Sequence, residues 1–369
     1  MTATPPVHAL PAGATLRPLV LPERADAGPT PLIREYAEVR NRSILESTGR
    51  DDDALSAESL LPMLYSTPDR TRRQWYVEQD GRIVGCCALD ILQDDGGRTA
   101  FVIVALLGDA QDEGIGRAAY DHLESVARDA GVRKLVHFAE HRDDGSDLDP
   151  IPSPTGFGSV PADRAARFLI RNGYTLETVE RASELVWNDD TAAVLESRRT
   201  DAARHASAYR IVQWMLPTPA EYVDGYAWMK SRMSTDVPEG DLGLPEETWD
   251  AARVAQQDER TAARGYHQFV TAAQHIETGE LSAFNELAIG PDASGTTHQY
   301  DTLVLAGHRG HRLGMLVKTE GLLAWRERYP NSPRVIAYNS EQNRPMLSIN
   351  EDLGFTAFTY EGAWKKELS

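Results

Sequence analysis

The stretch Val304–Leu316, VLAGHRGHRLGML, sets Gly310, Gly314, two arginines and two histidines between an apolar run and the start of a helical pattern. The first N–H groups of a helix have no internal partner and lie at the positive end of the helix dipole. Glycine permits unusual dihedrals and lets a ligand approach the backbone closely. Such a joint suits an anion, a phosphate above all. A basic turn that binds only water is the other reading. A second joint, Gln111–Gly116 (QDEGIG), has the same form.

Stepping outward from the joints, the chain repeats. RQWYVEQDGRIVGCCALDI (Arg73–Ile91) and HQFVTAAQHIETGELSAFNELAI (His267–Ile289) each read as strand, turn, strand. Gly81 and Gly279 are 198 residues apart, and so are Gln111 and Arg309. A shared offset of turn and joint marks an internal repeat. An apolar run precedes each joint: Thr99–Leu107, then Tyr300–Ala306. A helical pattern follows each: Ile115, Ala118, Ala119, Leu123 and Val126, then Leu313, Leu316, Val317, Leu322, Leu323 and Trp325. Each half reads strand, helix, helix, strand, strand, strand, helix, strand, helix, strand. The expected fold class is α/β: two domains, each a mixed, mostly antiparallel twisted sheet flanked by helices. The expected division is a loose tail at 1–14, a first domain at 15–187, a linker at 188–208 and a second domain at 209–369.

Composition narrows the function classes. A chain of 369 residues exceeds one ordinary core. A net charge of −18 argues against nucleic acid or an anionic membrane as partner. It fits a cationic substrate such as an amine, although solubility alone also explains it. Cys86 and Cys87 are adjacent, so neither an ordinary disulfide nor a metal spacing is present. The chain reads as a reduced, cytoplasmic protein. No signal peptide or spanning run is evident.

With these motifs, the element order resembles the GNAT superfamily of N-acyltransferases, in tandem, from about Leu16 to Leu368. The family signature is Gln/Arg-x-x-Gly-x-Gly/Ala. Gln111, Gly114 and Gly116 match it fully. Arg309 and Gly314 match, but Arg312 stands where the central glycine is expected. The resemblance implies that Arg309, Gly310, His311, Arg312, Leu313 and Gly314 cradle the diphosphate of acetyl-CoA or another acyl-CoA, the co-substrate, without metal. A bulky residue at Gly314 is expected to block that path. Leu303, Val304 and Leu305 would line the pantetheine and thioester, between splayed strands. Asn343, at the family's asparagine position, and Asn339 would hold the pantetheine. The family's tyrosine acid is replaced by Asn350, an amide that donates a hydrogen bond but no proton. Asn350→Ala is accordingly expected to cost little beside Glu286→Gln. In the first copy the corresponding positions hold Ala162 and Leu169, so the second copy is expected to be the catalytic one and the first degenerate.

Glu286 and Asp301 are the carboxylates nearest the thioester and the candidate bases, with His298 as a third. Glu286 is either a base or a solvated strand residue. Asp236, Glu239 and Asp241 receive an amine's charge or are plain loop. His308 and His311 shape the joint. The resemblance implies N-acetyltransfer to a small-molecule amine. A non-catalytic acyl-CoA sensor and transfer from an acyl carrier protein are the alternatives.

Overall fold

The computed structural model describes residues 7–142, 147–238 and 240–369. The first repeat runs β1 (His8–Ala9), β2 (Thr15–Pro18), α1 (Pro31–Thr48), α2 (Ala57–Leu60), β3 (Arg70–Gln79), β4 (Arg82–Leu92), β5 (Thr99–Leu106), α3 (Ile115–Asp129) and β6 (Lys134–His141). A small two-stranded excursion follows, β7 (Pro150–Pro152) and β8 (Ser159–Pro161), then α4 (Arg164–Arg171) and β9 (Thr175–Val186). After α5 (Thr191–Ala203), the second repeat runs β10 (Tyr209–Met215), α6 (Val223–Asp236), α7 (Ala251–Ala263), β11 (His267–His275), β12 (Leu281–Ile289), β13 (Thr297–Val304), α8 (Leu313–Arg328), β14 (Arg334–Ser340), α9 (Arg344–Leu353) and β15 (Thr356–Glu367). The second repeat has the expected order, and the first has it with β1, β7 and β8 added. β1, inside the stretch read as a loose tail, pairs with Thr15 and Leu16 of β2, and α5 lies inside the stretch read as a linker.

Local chemistry sets the element ends. The Thr30, Ser56, Asp163 and Asp250 side chains accept from backbone N–H groups three residues on, capping α1, α2, α4 and α7. Asp80 and Gly81 both have positive φ, as a two-residue hairpin turn requires. Pairing is antiparallel from β1 through β5 and from β10 through β13. Within each repeat the next strand is parallel: β6 on β5, β14 on β13. Gly85 pairs with Leu106 and Ala283 with Val304, so the 198-residue offset holds in the sheet register as well.

The chain divides into two compact units. The first comprises Met1–Ile151, Val160–Glu177 and Gly362–Ser369; the second comprises Pro152–Ser159 and Thr178–Glu361. Each unit thus contains a piece of the other repeat. In the second unit β9, from the first repeat, pairs antiparallel with β14 from Arg334↔Val186 to Ser340↔Glu180. Alternation along the strands gives this sheet two apolar faces. Val270, Phe284 and Leu303 pack against Tyr226, Met229 and Val254 of α6 and α7. Phe269, Leu287, Leu316, Val317 and Trp325 form the other core, with α8 and Leu195 of α5. Among the described residues, no helix is long and apolar enough to cross a membrane. Both cysteines are free and buried, and burial pushes the Cys86 thiol up to about 12 and Cys87 higher still.

A fragment of residues 209–369 lacks both β9 and α5. It leaves β14 without its antiparallel neighbour and α8 without a packing partner. This fragment is expected to show no cooperative thermal transition by circular dichroism, in contrast to the whole chain. A cooperative melt at the whole chain's temperature would show that β9 is dispensable.

Candidate active site

The second joint follows β13 through one 3-10 turn, Ala306–His308. Arg312, where the signature has glycine, takes the left-handed conformation at φ 55°, as Gly114 does at φ 78° in the first joint. A non-glycine residue there costs roughly 1–2 kcal/mol, so the chain keeps the backbone geometry at an energetic cost. No side chain caps α8 or α3, which leaves their first N–H groups open to an anion. Arg309 is exposed, donates to the Val304 carbonyl at 3.4 Å and lies 4.0 Å from Asp236. Arg312 turns instead to an ion pair with Asp201 of α5. Tyr209 Oη lies 2.9 Å from His308 Nδ1, and the Tyr209 ring packs on His275, His308 and His311. Gly310 has φ 89° and open space around it. The joint therefore fits a phosphate through its backbone and Arg309. Gly314 serves packing: a Cβ there would lie 3.1 Å from Ile349 Cδ1 and 3.5 Å from Val304 Cγ2. A bulky substitution would thus press on α9 and β13 in addition to any obstruction of the phosphate path. In the first joint, Gln111 Nε2 donates to the Leu106 carbonyl at 2.8 Å, and Gly116 lies under Leu106.

β13 and β14 form an open fork. They pair only at Thr297↔Val335, His298↔Ile336 and Gln299↔Ala337, after which β13 continues to Val304 and β14 to Ser340. His298 belongs to the closed part. Leu303 and Leu305 are buried in the core beneath α6, and Val304 packs toward α8. Their side chains serve the cores, so what these three residues can offer a ligand in the fork is backbone.

On the fork arm, β13 carries a bulge. Asn285 pairs with Thr302 but Leu287 pairs with Gln299, so Tyr300 and Asp301 together face Glu286. In the first repeat Ala88 faces Ile103 alone, with no irregularity. Bulges re-aim side chains beside functional sites. Glu286 is 2% exposed, which excludes the solvated-strand reading. It accepts from Tyr226 Oη and, at 3.2 Å, from Lys230 Nζ; Lys230 also donates to Asp301. Burial, before any neighbouring charge, raises the Glu286 carboxyl above its ordinary value. Burial works to lower Lys230, but Asp301 and then Glu286 more than offset it, and the ammonium is held. Burial, then Glu286, pushes Tyr226 far up. The Asp301 side chain is 34% exposed and is the accessible end of the cluster.

Beyond the fork's closed part, Asn350 Nδ2 donates to Asn339 Oδ1 at 2.7 Å, and Lys318 Nζ donates to Asn350 Oδ1 at 2.6 Å. Asn350 is 1% exposed, so it is part of a buried polar chain and faces no open pocket. Asn343 is the N-cap residue of α9, without a side-chain cap bond. Asp236 is the last residue of α6 and is bound by Arg232, close to the joint. Asp241 is exposed, and Glu239 lies outside the described residues. Among the described residues, no group of three or more His, Cys, Asp or Glu side chains could hold a metal ion.

Sequence reasoning missed Tyr226, Lys230 and Lys318. Lys318 had a signal: with Gly314, Leu322 and Trp325 it falls on one helical face whose other members are buried. Tyr226 and Lys230 had only their mutual spacing of one turn.

Residues 39–146 match the Acetyltransferase (GNAT) family model. The match falls within the first repeat, and the chain as a whole has the fold of a tandem GNAT protein. A tandem GNAT protein from the clavulanic acid biosynthesis pathway is similar over 96% of this chain and 98% of its own, with TM-score 0.71 and 21% identity. A GCN5-related N-acetyltransferase from Sphaerobacter thermophilus is similar over 97% of each chain, with TM-score 0.61 and 13% identity. No curated protein sequence matches this chain.

Proposed function

We propose that the second repeat is the working half, moving an acyl group from acetyl-CoA or a related acyl thioester to the amine of a small molecule. The observation that carries this reading is the bulge that sets Asp301 against Glu286 on one arm of an open fork whose end leads to an uncapped helix. The family match falls on the first repeat, which keeps Gln111, Gly114 and Gly116. There, however, Ala88, Ile103, Ala139 and Leu169 stand where the second repeat has Glu286, the bulge, Asn339 and Asn350.

The chemistry follows from the groups present. The joint and Arg309 hold the diphosphate, and the free edge of β13 bonds the pantetheine as an added strand would. Glu286, its proton affinity raised by burial, takes the amine's proton, directly or through water. Lys230 keeps the two carboxylates in place. A carrier-borne acyl group remains the alternative donor. The test is thiol release from acetyl-CoA across a panel of amines. Turnover with one amine class and none without amine is the expected result. Binding of acetyl-CoA with no release on any amine would favour a sensor instead.

A further inference from the structure

Lys318 is 0% exposed, and among the described residues no carboxylate pairs with it. A buried lysine with a single amide acceptor is costly, and the protein has a cheaper option at the equivalent place. Tyr120 stands there in the first repeat, its hydroxyl donating to Tyr174 Oη at 3.1 Å. The lysine's use lies in its direction. Below about pH 7 the buried lysine is an ammonium, which only donates, so there it fixes Oδ1 of Asn350 toward itself and Nδ2 away from itself. That Nδ2 then donates to Asn339 Oδ1, which fixes the second amide in turn. Asn339 lies two residues past the last β13–β14 pair, on the open arm, half-buried. Its Nδ2 makes no hydrogen bond to the described residues.

We propose that Lys318 is a positioning residue that orients the chain Lys318–Asn350–Asn339 so that Asn339 Nδ2 presents an N–H donor in the fork, to the carbonyl oxygen or the departing thiolate of the acyl thioester. This rests on the second repeat being the working half. The first repeat cannot build such a chain, having Tyr120, Leu169 and Ala139 at the three places. The buried amide thus takes part in the site, and the expectation that Asn350→Ala costs little is reversed. Asn350 supplies no proton; it sets which face of Asn339 meets the ligand.

Two variants test this in the full chain with acetyl-CoA at pH 6, where Lys318 is an ammonium. Lys318→Met keeps the volume and removes the donor. Asn350→Asp keeps an acceptor for Lys318, gives the lysine a counter-charge, and removes the donor to Asn339. Loss of one preorganised donor at a developing negative charge lowers turnover by about 10-fold or more. Both variants are expected to lose kcat by that order, with KM for acetyl-CoA within about twofold, and neither is expected to melt below the wild type. A structural role would lower the melting temperature and spare kcat. If Lys318→Met is unstable, Asn350→Asp decides: unchanged kcat in a stably folded Asn350→Asp overturns the proposal. A wild type without turnover on any amine contradicts the transfer reading instead. The chain is then tested by calorimetric binding of CoA itself, weaker in Asn350→Asp if Asn339 serves the fork and equal to wild type if it does not.

Discussion

Glu286→Gln is expected to lower kcat/KM for the amine by about 10²–10³-fold, within the range for losing a general base, with KM for acetyl-CoA nearly unchanged. The amide keeps the size of the side chain and an acceptor for Tyr226 and Lys230; what it loses is the capacity to take a proton. The sign of the pH dependence follows. Glu286 works only when deprotonated, and burial raises its proton affinity. Wild-type kcat/KM should therefore rise with pH through a midpoint above the ordinary carboxylate range, and that limb should vanish in the variant. Asp301→Asn should cost less, since it removes one partner of Lys230 and leaves the other. A larger loss in Asp301→Asn than in Glu286→Gln would make the exposed carboxylate the base.

Lys318→Met is expected to stabilise the protein, most strongly at and below neutral pH. Burial lowers Lys318 from 10.5 to about 7. At 1.36 kcal/mol for each tenfold change, keeping the charge inside costs about 5 kcal/mol below pH 7. Between pH 7 and 10.5 the unfolded chain holds a proton that the folded chain does not, so the wild type gains stability as pH rises. Above 10.5 the cost is gone. Methionine never carries it. After subtracting the lost hydrogen bond, the gain should be roughly 2–4 kcal/mol at pH 6, shrinking steadily toward pH 10. Urea denaturation of both proteins at pH 6 and 9.5 measures it. A difference that does not change with pH, or a wild type that is the more stable at pH 6, contradicts a charged, unpaired Lys318.

Local chemistry was legible in the sequence. Asp80-Gly81, the two joints and the helical periodicity after each joint are short-range patterns, and each falls in the element expected. The repeat offset was also legible, but it concealed a change. Gln111/Arg309 and Gly81/Gly279 are both 198 apart, yet Val102 corresponds to Gln299, only 197 on. A residue missing from the β12–β13 connection is restored within the bulge, which keeps the count constant at both ends and puts Asp301 opposite Glu286. Nothing local announces such a compensated pair of changes. The place of β9 beside β14 was equally hidden, because backbone pairing leaves no mark in side-chain order. Glu286 was read as a candidate base, but its partners Tyr226 and Lys230 lie some sixty residues away on α6, and only the packing of that helix on β12 joins them.

The central claim is that acyl transfer takes place in the second repeat. Its most direct test is the rate of thiol release from acetyl-CoA in two variants, Arg309→Glu at the second joint and Gln111→Glu at the first. Each places a negative charge where one copy would receive a phosphate. Transfer in the second repeat predicts that Arg309→Glu raises KM for acetyl-CoA by about 10-fold or more, the scale of losing one charge-assisted contact and adding a repulsion, while Gln111→Glu leaves the rate at the wild-type value. Loss of turnover in Gln111→Glu, with Arg309→Glu unaffected, would place the reaction in the first repeat and contradict the account.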